Sequence, residues 1–313
     1  MELSSLCFFL AALLLSPLLA GVVNRTKARF AGRTGQPLLQ AYYDLAKLFA
    51  KGAVYSQTTT WVFRAGPLVG LASLAVALTL VPLGGAPPLV AFTGDLVLFL
   101  YLLGLLRFFT IAAALDTGSA FEGMGASREA QFSVLTEVVV LASLAALGQL
   151  GQMGQTPAAG GGFSLAGIYA PLGPGLWPTG GAVLLLTAAA LLAALLAECS
   201  RLPVDDPTTH LELTMIHEVM VLDHSGPDLG FILYGAGLKL WILGALVAGV
   251  LVPVRIGNPW LDGAAVMAGI FALAVVVGVI ESTLARLRLL WVPRFLTGAG
   301  VLAGVALLLV LGR

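Results

Sequence analysis

Charge is scarce in this chain. Asp, Glu, Lys and Arg make up 10% of its 313 residues, against about 25% in an ordinary soluble protein. A water-soluble surface cannot be built from so few charges, which excludes a soluble globular protein and a disordered tail. Sixteen basic and sixteen acidic residues cancel, so no net field recruits nucleic acid. Cysteine is nearly absent. Cys7 and Cys199 stand far apart, form no C-x-x-C pair, and offer no zinc or iron–sulfur ligand set within the chain. There is no G-x-S-x-G, no H-E-x-x-H and no phosphate-binding P-loop, so nucleophilic or nucleotide chemistry finds little support.

What is abundant is apolar. The set AVILMFWYC reaches 59% and the mean hydropathy is +0.99. The composition implies an all-α polytopic membrane protein, read as one integral membrane domain over 1–313. A span needs about 20 apolar residues. Eight segments qualify: 3–23, 62–83, 95–115, 130–150, 179–198, 230–253, 263–283 and 294–312. The first begins Met-Glu without a basic leader, and its basic flank follows it, so it reads as a retained span with its N-terminus outside. The segments after the first, third, fifth and seventh spans carry twelve cations, from Arg25 to Arg294. The other face carries Arg255 and Arg313 alone, which places the basic segments in the cytoplasm. Gly/Pro-rich loops at 84–94 and 151–178 lie opposite. No internal repeat supports an inverted-repeat transporter.

One cytoplasmic stretch, 36–51, is not a span. Leu38, Tyr42, Leu45 and Phe49 recur on one helical face, while Gln40, Asp44, Lys47 and Lys51 recur on another. This predicts an amphipathic helix lying in the membrane surface, against a partner, or packed on its own chain. The GMGASRE cluster at 123–129 reads as a tight turn feeding the fourth span, and Asp95 as a helix N-cap after Gly94.

Ionisable residues inside spans are costly and therefore informative. Glu137 lies several residues into the fourth span, Arg107 near the middle of the third and Lys239 well inside the sixth. Glu198 and Glu281 close the fifth and seventh. Arg107 and Glu198 read either as structural ion pairs or as snorkelling groups. Together the charges suggest a hydrated track able to pass protons. The polar stretch 198–228 adds Arg201, Asp205, Asp206, Glu212, Glu218, Asp223 and Asp228, with all three histidines, His210, His217 and His224. Histidines seven apart on a helix lie about 10 Å apart, too far to share one ion. They read as an entry relay titrating near neutral pH or as a polar docking surface. Pro203 and Pro207 break the helix there.

Four motifs carry a resemblance that runs nearly the whole chain in order. They are RTGQPLLQAYYDLAKL at Arg33–Leu48, LDTGSAFEGMGASREA at Leu115–Ala130 with Glu137 nine residues past Arg128, AECSRLPVDDPTTHLEL at Ala197–Leu213 leading to DHSG at Asp223–Gly226, and ESTLARLRL at Glu281–Leu289. The chain resembles the eight-helix membrane subunit shared by respiratory complex I (NADH dehydrogenase subunit 1) and the energy-converting [NiFe] hydrogenases. Its motifs are similar to the hydrogenase branch, that of formate hydrogenlyase subunit 4 and hydrogenase-4 component C. The resemblance implies a non-catalytic membrane anchor in a prokaryotic cytoplasmic (inner) membrane, coupling redox chemistry to ion movement. It implies hydrogenase-like large and small subunits, an iron–sulfur subunit and antiporter-like membrane subunits as partners. The [NiFe] centre and iron–sulfur clusters would sit on those partners, and none on this chain. On matching motifs, Glu137, Glu198, Arg201, Asp205, Glu212 and Glu281 fall on a polar axis or its cytoplasmic mouth. Lys239, Arg128, His210, His217 and His224 join them as candidates for a proton path. Arg33, Asp44, Lys47, Arg286 and Arg288 are candidates for the interface with the redox arm. A quinone-chamber subunit and a stand-alone ion transporter remain as alternatives.

Overall fold

The computed structural model describes residues 2–152, 163–205 and 215–312. His210, Glu212, Asp206 and Pro207 lie outside the described residues. Among the described residues eleven α-helices follow in order: α1 Leu3–Phe30, α2 Gln40–Phe49, α3 Trp61–Leu80, α4 Asp95–Asp116, α5 Ala120–Gln152, α6 Leu165–Tyr169, α7 Trp177–Glu198, α8 His217–Val221, α9 Gly226–Leu251, α10 Pro259–Thr283 and α11 Val292–Leu311. Eight of these are long and apolar enough to cross a bilayer, matching the eight expected spans in number and order. The chain is a multi-pass membrane protein.

Local chemistry sets the helix ends. The Thr60 hydroxyl accepts the Val62 N–H at 3.2 Å to start α3. The Asn258 side chain does the same for Trp260 at 3.0 Å ahead of α10. Proline occupies the first turn of α7, α9, α10 and α11, where its missing N–H costs no helical hydrogen bond.

α9 is the most enclosed long helix, with Trp241 fully buried on it. It packs against α1, α3, α7 and α10. α3 pairs with α4, α1 with α10, and α5, α7 and α11 form a third group. Most cations collect at one end of this bundle, the basic end. There Val54 N–H donates to the Ser225 hydroxyl at 3.0 Å, and Leu287 N–H to the Pro203 carbonyl at 2.9 Å. At the opposite end Gly94 N–H reaches the Phe163 carbonyl at 3.2 Å, and Arg255 donates to the Tyr169 carbonyl, also at 3.2 Å.

Three expectations change. α1 runs to Phe30, beyond the expected end at 23, with Lys27 and Arg29 in its last turn. Cations there suit the negative end of the helix dipole. α5 has 33 residues, about 50 Å at 1.5 Å each, against a hydrocarbon core of about 30 Å. The expected turn at 123–129 is helix. Its glycine serves close approach: a Cβ on Gly125 would stand 2.4 Å from Val219 Cγ1 and 2.8 Å from the Ile216 carbonyl. A packing glycine and a turn glycine are identical in sequence. Asp95 does not cap its own helix. Its carboxylate, fully buried, accepts from Leu165 N–H at 2.7 Å and the Ser164 hydroxyl at 2.8 Å, pinning the start of α6 instead. Of the surfaces left open for α2, its own chain takes part of the apolar face. Leu45 is buried, the Tyr42 hydroxyl donates to the Leu14 carbonyl in α1, and Phe49 lies 5.4 Å from the Phe231 ring of α9.

Candidate functional site

Four helices bring intramembrane charges to one place. Lys239 on α9 donates to Glu198 Oε2 at the end of α7 at 2.7 Å. Arg107 on α4 donates to Glu198 Oε1 at 2.6 Å through one guanidinium nitrogen, and to Glu137 on α5 at 3.0 Å through another. A continuous chain, Lys239–Glu198–Arg107–Glu137, thus crosses the bundle. Its first three side chains are 10%, 4% and 7% exposed. Such charges persist in a low-dielectric interior only because each is paired. Glu137 differs, with 47% of its side chain exposed. It stands on the outer face of α5 among the exposed Val134, Val138 and Leu141.

A second group lies at the basic end. Glu281 on α10, with no side-chain exposure, accepts Lys27 of α1 at 2.8 Å and Arg201 at 3.3 Å. Asp205 accepts Arg286 at 2.7 Å, and the backbone N–H groups of His217 and Ile216 at 3.0 and 3.3 Å. Asp205 therefore anchors the entry to α8. Arg128 on α5 donates to the Met215 carbonyl at 2.7 Å, fixing the same segment from the other side. Arg286 is largely withdrawn from the surface by this pairing, whereas Arg33 and Arg288 are exposed. Asp44 accepts from Gln40 at 2.8 Å and lies 3.8 Å from Lys47.

His217 and His224 sit between the two groups. His224 stacks on Phe63 of α3, centroids 3.9 Å apart and planes 10° from parallel. Burial pushes His224 down to about 4. Burial, and secondarily the Lys239 charge, pushes His217 down to about 4. Both rings are neutral at pH 7, not poised near neutrality as the sequence suggested, because tertiary packing removes them from water. The unfolded chain, with histidines near 6.5, binds more protons than the folded one between pH 4 and 6.5. Stability is therefore full above about pH 6.5 and falls as pH drops toward 4. At about 1.4 kcal/mol per unit, the loss is on the order of 3 kcal/mol for each ring. Thermal unfolding in detergent at pH 7 and pH 4.5 checks this. His224→Phe, which keeps the stack on Phe63 without a titrating group, should shrink the acid-induced drop in melting temperature. An unchanged drop would show that His224 does not contribute to it.

Two cavities meet these groups. One, of about 80 Å³, is lined by Glu129, Arg107, Glu198, Lys239, His217 and His224, among others. A larger one, of about 530 Å³, lies under α2 between α1, α8 and α9, with Arg201, Asp205 and His217 on its polar side. Among the described residues, no group of three or more His, Cys, Asp or Glu could hold a metal ion. Glu129 was missed in sequence because it was placed in the supposed turn. Lys27 was read as a flanking cation, and nothing local marks it as the partner of Glu281.

A polytopic helical bundle with a buried chain of alternating charges is the class of protein these features define. The NADH dehydrogenase family model matches residues 3–312, and the chain belongs to this family of complex I subunit 1-like membrane proteins. It is 33% identical over 295 residues to formate hydrogenlyase subunit 4 of Escherichia coli (strain K12), covering 91% of this chain and 90% of that one. Hydrogenase-4 component C of the same organism is 30% identical over 247 residues, covering 77% and 72%. The fold matches a chain of the membrane-bound sulfane sulfur reductase, an archaeal respiratory membrane complex, with a TM-score of 0.78 and 18% identity, over 98% of both chains.

Proposed function

We propose that this chain is the membrane anchor and coupling subunit of a multi-subunit, redox-driven, ion-translocating complex of the formate hydrogenlyase-like [NiFe] hydrogenase type. The observation that carries the reading is the unbroken Lys239–Glu198–Arg107–Glu137 chain, which ends on a half-exposed carboxylate. A carboxylate facing lipid tails is costly. Its position on an outer helical face therefore calls for a polar neighbour, and an antiporter-like membrane subunit supplies one. The basic end is the cytoplasmic side, with the N-terminus outside, in an inner membrane. There Arg33, Lys47 and Arg288 meet the hydrophilic arm. That arm, of large, small and iron–sulfur subunits, carries the [NiFe] centre and the clusters.

In this mechanism a charge change in the arm shifts the Asp205–Arg286 and Glu281–Arg201–Lys27 groups. Protons redistribute between Lys239 and Glu198 in response, while Arg107, which stays charged, shifts its hold between Glu198 and Glu137. Glu137 then hands the change sideways. Glu137→Gln is expected to lower redox-driven ion translocation by about tenfold or more, as loss of a positioned proton carrier does, while electron transfer stays near wild type. Vesicle ion-uptake measurements alongside electron-transfer rates decide it. Wild-type values for both would remove Glu137 from the path. Affinity purification of the tagged chain from its native membrane tests the partners. Co-purifying nickel and iron would bear out the arm, and a bare chain would favour a stand-alone transporter.

The cavity of about 530 Å³ under α2 favours a second reading, a chamber for a quinone-sized amphipathic molecule. Its volume suits a small-molecule site. Quinone-dependent turnover of the purified complex, blocked by a bulky substitution at Ala20 on the cavity wall, would favour that reading over the hydrogenase one.

A further inference from the structure

Between the two charged groups lies a third, very small pocket of about 10 Å³, the room of a single water. Glu129, Ser133, Glu198, Ser200 and Asp205 supply its polar wall. Three residues, Glu129, Glu198 and Ser200, also line the 80 Å³ cavity beneath Lys239, which has room for several waters. Asp205 in turn lines the 530 Å³ cavity on the other side. The two larger cavities adjoin directly at Ser200, His217 and His224, and the small pocket joins the buried pairs to Asp205 beside that contact. Glu198 is held there by Lys239 and Arg107, and Asp205 by Arg286. Glu129 forms none of these short pairs, although its charge is coupled to Lys239, Glu198, Arg107 and Asp205.

We propose that Glu129 is the proton-carrying link between the Asp205–Arg286 group and the Lys239–Glu198 pair, the carboxylate outside those pairs that the one-water pocket shares with the cavity beyond it. The inference rests on the relay reading of the charged chain and adds a residue and a route to it. A proton delivered across the pocket from the Asp205 side converts the Glu129 carboxylate to the neutral acid. Its onward transfer through the larger cavity to Glu198, once Lys239 or Arg107 has released that carboxylate, restores the Glu129 carboxylate, so the step moves one proton and no electrons. Glu129 suits the task for a physical reason. A carboxylate clamped by two cations gives up its pairing energy to accept a proton, while an unclamped neighbour does not.

The test uses the intact complex in vesicles from its native membrane, with Glu129→Gln, Glu129→Asp and Glu137→Gln compared. Ion translocation is measured beside electron transfer and subunit assembly. Glu129→Gln should assemble, keep electron transfer within about twofold and lose translocation about tenfold, as a positioned proton carrier would. Glu129→Asp, which restores a carboxyl one methylene shorter, should recover much of it. Loss in Glu137→Gln with full translocation in Glu129→Gln would overturn the Glu129 link and leave the relay standing, with entry through His217 as the remaining route. Full translocation in both would remove relay and link together. Equal losses in Glu129→Gln and Glu129→Asp, or failure of Glu129→Gln to assemble, would mark a structural role and overturn the proposal.

Discussion

Glu198→Gln is expected to destabilise the protein by about 3–5 kcal/mol, the cost of removing one partner from a buried ion network. Among the described residues, Glu198 is the only carboxylate in contact with both Lys239 and Arg107, at 2.7 and 2.6 Å. An amide in its place still fits and still accepts a hydrogen bond. It leaves two cations facing each other in a low-dielectric interior, with the half-exposed Glu137 and the more distant Glu129 to offset them. The charge imbalance, not lost packing, sets the expected penalty. The double variant Glu198→Gln/Lys239→Met therefore carries the sharper expectation. It removes one surplus cation and should recover a substantial part of the loss, because residues in one ion network do not act additively. Unfolding midpoints of the detergent-solubilised single and double variants measure both terms. A loss below about 1 kcal/mol in the single variant would mean that water or neighbouring groups neutralise the site. A double variant no better than the single would place the cost in packing.

The sequence carried the spans and the in-span charges for the same reason: hydrocarbon admits almost only apolar helix, so a charge within such a run is conspicuous. Glu137, Glu198, Lys239 and Arg107 were legible on that ground, as was the crowding of cations at one end. Their connectivity was not. Arg107 and Glu198 are 91 positions apart and Asp205 and Arg286 81, and no local pattern encodes which charge meets which. Lys27 illustrates the limit, since a cation just past a span looks like a topology signal while its ammonium is 2.8 Å from a fully buried carboxylate. The N-terminal extension of α5 was hidden for a different reason. Glycine favours turns and also permits close helix contact, and Gly125 takes the second role against α8. Misreading it concealed Glu129. His217 and His224 misled because their proton affinity is set by the packing around them rather than by their neighbours in sequence.

Gly21→Ala is the second substitution with a large expected effect, because one methyl would collide with backbone. A Cβ at Gly21 on α1 would lie 2.1 Å from the Leu38 carbonyl oxygen and 3.1 Å from its carbon. A flexible side chain could swing aside, but here the segment that leads into α2 must itself move. That segment holds much in place. Tyr42 is tied to the Leu14 carbonyl, Leu45 is buried, and Gln36, Pro37 and Gln40 line the 530 Å³ cavity together with Gly21. Overpacking of this kind costs about 1–3 kcal/mol, and the strain should be released locally by lifting α2 rather than by unfolding the bundle. The expected result is a modest fall in unfolding midpoint with a sharp rise in proteolysis or amide exchange confined to residues 31–50. Gly21→Ser, nearly as small, should behave alike. Arg33 and Lys47, carried on and beside α2, are candidate contacts of the hydrophilic arm, so displacing the helix should also weaken recovery of the arm on affinity purification. Retained arm recovery with demonstrably increased exchange at 31–50 would uncouple α2 from docking and leave the arm contact to the Arg288 side of the basic end.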